Sequence, residues 1–89
     1  MQITDIRMRL VPNDEKLKAV ASITFDDAFV VHDLKVIAGT DRPFVAMPSR
    51  KGRDGNYKDI AHPIKPELRE EISARVLEEY EKALNSTEN

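Results

Sequence analysis

The chain reads as an α+β domain: a small antiparallel β-sheet of about five strands, followed by a C-terminal α-helix packed on it. Three observations carry this reading. Alternating apolar and polar residues run through roughly the first two-thirds of the 89 residues, broken by short turns. Pro63 and Pro66 then end that pattern. From Leu68 onward the apolar positions recur at helical spacing.

Each element follows from its residues. In Gln2 to Val11, Ile6, Met8 and Leu10 fall on one face and Asp5, Arg7 and Arg9 on the other, as a half-buried strand requires. Pro12-Asn13-Asp14-Glu15-Lys16 is a turn, since proline fixes φ and Asn and Asp bond their own backbone. Leu17 to Phe25 alternates again, with Leu17, Ala19, Ala21, Ile23 and Phe25 inward. Asp26-Asp27 forms a compact hairpin without the usual glycine, which leaves its turn type open.

Phe29 to Ile37 is the most β-prone run. Its Val30, His32, Leu34 and Val36 face is mainly apolar, but Phe29, Val31 and Ile37 make the other face apolar too. Such a strand belongs in the middle of a sheet or under a second subunit. Arg42 to Met47 supplies a fourth strand, and Tyr57 to Ala61 a short fifth one. Pro66 suits a first helical position, and Glu67, Glu70 and Glu71 favour the positive end of the helix dipole. Lys65 offers no side-chain acceptor as N-cap. Leu68, Ile72, Val76, Tyr80 and Ala83 share one arc, which packs on the sheet, and Leu77 and Leu84 widen it. Glu71–Arg75 and Glu78–Lys82 are spaced for i,i+4 pairing. Residues 1–84 make one domain and 85–89 a loose tail.

Composition narrows the function. A chain of this length buries only about 60–65% of its unfolded surface, so it is marginal alone and association would add apolar burial. There are no cysteines, which removes disulfides, thiolate nucleophiles and thiolate metal sites. No apolar run approaches the ~18 residues of a membrane span, and no secretion signal is visible, so a cytoplasmic location is expected. Net charge is −2, yet from Arg42 to Lys58 five basic residues face one acid, Asp54. A cationic segment on an acidic body calls for a polyanion or serves as a solvated hairpin tip.

Phe29-Val30-Val31-His32-Asp33-Leu34-Lys35-Val36-Ile37, Phe44-Val45-Ala46-Met47-Pro48-Ser49-Arg50-Lys51 and Gly55-Asn56-Tyr57-Lys58-Asp59-Ile60-Ala61-His62-Pro63-Ile64 resemble the SpoVG family (stage V sporulation protein G). Ile3 to Arg9 and Ala21 to Phe25 fit as well, so the likeness covers about residues 3–84 in the family's order. The resemblance implies a bacterial cytosolic protein, usually dimeric, with a sheet followed by a helix. It also implies binding of DNA, and in some members RNA, in the control of septation, sporulation and, in non-sporulating bacteria, capsule or virulence genes. Members often carry small hydroxyl residues after the His-Pro-Ile segment, where this chain has Lys65-Pro66-Glu67. Glu67 repels phosphate at the helix start, and Lys65 and Arg69 partly restore positive charge.

The expected nucleic-acid contacts are therefore Arg50, Lys51 and Arg53 in the loop, beside Gly52 and Gly55, with Lys58, Lys65 and Arg69 as secondary ones. Tyr57 is the aromatic that could stack on an unpaired base, although packing on the helix is the plainer expectation. Arg69 falls in the apolar arc and is placed to snorkel over the sheet edge. His32 and His62 lack ligand spacing, so no metal or cofactor is expected. Nothing here has the spacing of a nucleophile elbow or a phosphate-binding loop, so no enzyme is expected. The expected partners are DNA and RNA, with a homodimer doubling the cationic patch. The alternative is a dimeric interaction module in cell division that touches no nucleic acid.

Overall fold

The computed structural model describes residues 1–87. Six strands and one helix follow in order: β1 Ile3–Leu10, β2 Leu17–Phe25, β3 Phe29–Ile37, β4 Phe44–Ala46, β5 Ser49–Lys51, β6 Tyr57–Asp59 and α1 Pro66–Thr87. The fold is α+β, as expected, but the strands divide into two sheets. β1 to β4 form an antiparallel sheet in sequence order, and β5 pairs only with β6. β3 is an interior strand, in keeping with its two apolar faces.

Alternation along β2 buries Ala19, Ala21, Ile23 and Phe25 on the helix side. Ile6, Met8 and Leu10 of β1 pack on the same core. From α1 come Ile72, Val76 and Tyr80, with Leu68 and Leu77 at the margin. The helix runs closest to the backbones of the edge strands β1 and β4. Burying side chains such as Ile23, Leu34, Val36 and Val76 supplies about 1.5–3 kcal/mol apiece.

One expectation about β3 is corrected. Ala21 pairs with Leu34 and Ile23 with Val31, so β3 carries an extra residue between them. Asp33 sits there at φ 66°. This bulge shifts the alternation by one: Leu34 and Val36 face the core below it, and Val31 faces it above. Val30 and His32, read as sharing the face of Leu34 and Val36, are exposed instead.

The turns resolve what the residue pattern left open. Asp26 and Asp27 both take φ 52°, and the Ala28 N–H donates to the Phe25 carbonyl at 2.9 Å, which is a type I′ hairpin turn. Two outside bonds hold this conformation: the Gln2 N–H donates to Asp26 Oδ1, and the Asp27 N–H donates to Thr4 Oγ1, each at 2.9 Å. In the preceding turn the amides of Leu17 and Lys16 donate to Asp14 Oδ1 at 2.8 Å. The Leu17 bond first, then that of Lys16, holds the Asp14 carboxyl below its ordinary value. That support is present above the ordinary carboxylate range and is lost as pH falls through the lowered value.

At the helix start, the Lys65 carbonyl accepts from the Leu68 and Arg69 amides, so capping comes from backbone. Lys82 bonds Glu78 at 3.3 Å and Glu79 at 3.5 Å, while no Glu71–Arg75 pair forms among the described residues. The two neighbouring carboxylates hold the Lys82 ammonium above its usual value. The helix continues through Asn85, Ser86 and Thr87, expected as tail, and residues 88–89 of that tail lie outside the described residues. Among the described residues no helix is long and apolar enough to cross a membrane.

Candidate nucleic-acid interface

The cationic segment, expected as a loop between the fourth and fifth strands, is itself a β-hairpin. Arg50 and Lys51 lie on β5, and only Arg53 lies in the turn. Buried Met47 anchors the hairpin base in the core, and the Ile60 N–H donates to the Pro48 carbonyl at 2.7 Å. Beyond that base the hairpin leaves the main sheet, because neither β5 nor β6 pairs with β4.

The tip has a three-residue turn. Gly52 N–H donates to the Asn56 carbonyl at 2.8 Å, and Gly55 N–H to the Gly52 carbonyl at 3.1 Å. Gly55 takes φ 86°, the left-handed step that ends such a turn and that side chains adopt only with strain. A side chain at Gly52 would meet Asp54 Oδ1 at 3.0 Å. That carboxylate accepts from the Asn56 amide at 3.1 Å, so Asp54, one of the two acids of the hairpin, braces the turn.

Register decides how the cations are displayed. Arg50 stands directly opposite Lys58, and Lys51 directly opposite Tyr57. Strand alternation therefore puts Arg50 and Lys58 on one face, and Lys51 with Tyr57 on the other. Like charges at directly opposed positions repel, typically by a few tenths of a kcal/mol. Among the described residues none of Arg50, Lys51, Arg53 or Lys58 has an ion pair, and all four are exposed.

Two expectations change here. Tyr57 does not pack on the helix; it is 69% exposed on the hairpin. Arg69, placed by periodicity over the apolar arc, is exposed at the first turn of α1. Lys65 is exposed just before that turn, so these two cations lie together at the helix start, apart from the hairpin in sequence and interleaved with Glu67, Glu70 and Glu71. The cross-strand pairing of Arg50 with Lys58 was not visible in the residue pattern, because β5 is too polar and short to register as a strand.

The histidines are engaged locally. His32 Nδ1 lies 2.9 Å from Ser22 Oγ, and His62 Nδ1 lies 3.2 Å from the Pro63 carbonyl. Among the described residues no three His, Asp or Glu side chains converge as a metal cage.

Comparison with known proteins agrees with this architecture. The SpoVG family model matches residues 1–82. A relative from Clostridium acetobutylicum, named "Putative septation protein SpoVG", is 56% identical over 88 residues, covering 99% of this chain and 93% of its own. Relatives of the same name from Clostridium beijerinckii and Clostridium novyi are 56% and 54% identical, covering 96% and 100% of this chain and 93% and 89% of theirs. A family match over nearly all of the folded chain, with relatives of similar length, settles the assignment: the chain belongs to the SpoVG family.

Proposed function

We propose that this protein is a cytoplasmic, non-enzymatic nucleic-acid-binding regulator of septation and sporulation programmes, and that the β5–β6 hairpin is its phosphate-contacting element. The carrying observation is the exposed Arg50–Lys58 pair, set opposite each other and with no ion pair to an acid among the described residues. A hairpin kept only for solubility gains nothing from opposed like charges. A hairpin that meets phosphates recovers that repulsion on binding, when each cation releases a counterion from the nucleic acid. Lys51 and Arg53 extend the contact to the other face and the tip, and Lys65 and Arg69 add cations at the helix start. The septation names of the relatives support the cellular role.

The reading includes a homodimer. Met1 and Phe29, 69% and 63% exposed, line an apolar groove between β3, the 61–63 segment and the start of α1, and Ile60 and Ile64, which flank that segment in sequence, are 68% and 87% exposed. Large apolar side chains gathered at one groove mark an association surface. A second copy would bring two hairpins to one ligand. If four to six phosphates are neutralised per dimer, log K should fall against log salt with a slope of roughly −4 to −5 on duplex DNA.

Changing Arg50, Lys51 and Arg53 together to Ala should abolish binding while folding stability stays within about 1 kcal/mol, as at exposed positions. Retention of full affinity for both DNA and RNA by that variant would refute the hairpin assignment. Failure of the parent chain to bind either DNA or RNA would instead favour the alternative, a dimeric interaction module in cell division, for which the apolar groove is the specific support.

A further inference from the structure

Helix α1 covers one face of the four-stranded sheet and leaves the other open. Because Ile6, Met8 and Leu10 turn to the core, Arg7 and Arg9 of β1 project from the open face. Arg9 is paired across to Val20, Val20 to Lys35, and Lys35 to Ala46, so two cations lie in one row that crosses the sheet. Among the described residues neither Arg9 nor Lys35 has an ion pair or side-chain hydrogen bond. Arg7 and Arg9 also line a shallow depression of about 470 Å³ with Ser22, His32 and Asp33. Val45 packs on the core, which puts its neighbour Phe44 on the open face, half exposed, at the far edge.

We infer that this open face is a second contact surface and that it takes a single-stranded nucleic-acid segment. Arg7 and Arg9 would hold its phosphates, and Phe44 would support an unpaired base. The inference rests on the nucleic-acid reading of the protein but uses none of the hairpin residues. Charge complementarity selects the occupant. A second copy placed face to face by a two-fold axis through the Arg9–Lys35 row would bring that row against its own image. A phosphodiester strand matches the row instead. A ring at the face edge helps only a ligand whose bases are unpaired, because stacking needs an open base face. The Ser22–His32 hydrogen bond uses Nδ1 and leaves Nε2 of the ring without a partner among the described residues, for a phosphate oxygen.

Two acids temper the surface. Asp5 pairs with Arg7 at 3.2 Å, and Asp33 lines the depression itself. Asp33 provides a clean probe: at φ 66° it holds a backbone conformation that asparagine also adopts readily. Asp33→Asn removes the charge and keeps the bulge.

The test is fluorescence anisotropy on the full chain with a mixed-sequence oligonucleotide of about 12 nucleotides, as single-stranded DNA, single-stranded RNA and duplex DNA, over a salt series. Arg7→Ala/Arg9→Ala should weaken single-strand binding roughly tenfold and flatten its salt slope by about 1.4, at ~0.7 per lost phosphate contact. Duplex binding should change far less. Asp33→Asn should tighten single-strand binding by about twofold or more, a gain that misfolding cannot mimic. Unchanged single-strand affinity in both variants would overturn the second surface and leave the hairpin reading intact. An equal loss on single strand and duplex would overturn the single-strand assignment. No binding of any of the three probes by the parent chain would instead refute the nucleic-acid reading, and this inference with it.

Discussion

Lys58 stands where a neutral β-branched residue would serve the hairpin better. It faces Arg50 across two three-residue strands, too few for burial to offset the repulsion. Lys58→Thr should therefore raise local hairpin stability by a few tenths of a kcal/mol, seen as slower amide exchange at Gly52 and Ile60. The same substitution should weaken DNA binding several-fold and lower the salt slope by about 0.9, since one phosphate contact is lost. Stability and affinity moving in opposite directions would separate a binding residue from a structural one. Tyr57 shows the limit of residue patterns here. Alternation places it on a strand, but whether that strand belongs to the main sheet or stands apart is set by Met47 and Pro48, which turn the chain away after β4.

The β2–β3 hairpin holds two aspartates in the left-handed region at its turn. Asp26 is committed through its side chain to the Gln2 amide, whereas Asp27 takes part only through its backbone N–H. Asp27→Gly should keep that bond, relieve the left-handed strain and separate the neighbouring carboxylates. A gain of a few tenths to about 1 kcal/mol in urea unfolding is expected, and a loss would show that the Asp27 side chain has a role not seen here.

Elements differ in how far the residue pattern revealed them. β1, β2, β3 and α1 follow apolar periods long enough to read, and their bounds come out within about two residues at most ends. β5 did not, because Ser49-Arg50-Lys51 carries no apolar residue and pairs with an equally polar partner. The bulge in β3 was hidden for another reason. Asp33 in a strand looks like any outward polar position, and only the pairing of Leu34 with Ala21 and Val31 with Ile23 shows the slip. The cations of the hairpin were legible as a cluster, but their division between two faces was not.

For the chain as one folding unit, size sets the terms. A protein of 89 residues has a total stability of roughly 4–13 kcal/mol. Leu34, fully enclosed beside the bulge, is a severe test of that margin. Leu34→Ala should remove about 2–5 kcal/mol, a large share of that total, measured by denaturant unfolding. The proposed dimer would add a concentration-dependent share, so the melting temperature of the parent should rise with protein concentration. A constant value would mean that the apolar groove stays open to solvent.

Among the described residues the hairpin is held to the rest of the protein at its base, where Met47 is sunk in the core and Ile60 bonds Pro48. Nothing in residues 49–59 contributes a fully buried side chain. The segment is therefore an interchangeable cartridge. Its eleven residues can be exchanged for those of another relative without repacking the core, so under the proposed function ligand preference would diversify while the scaffold stays the same.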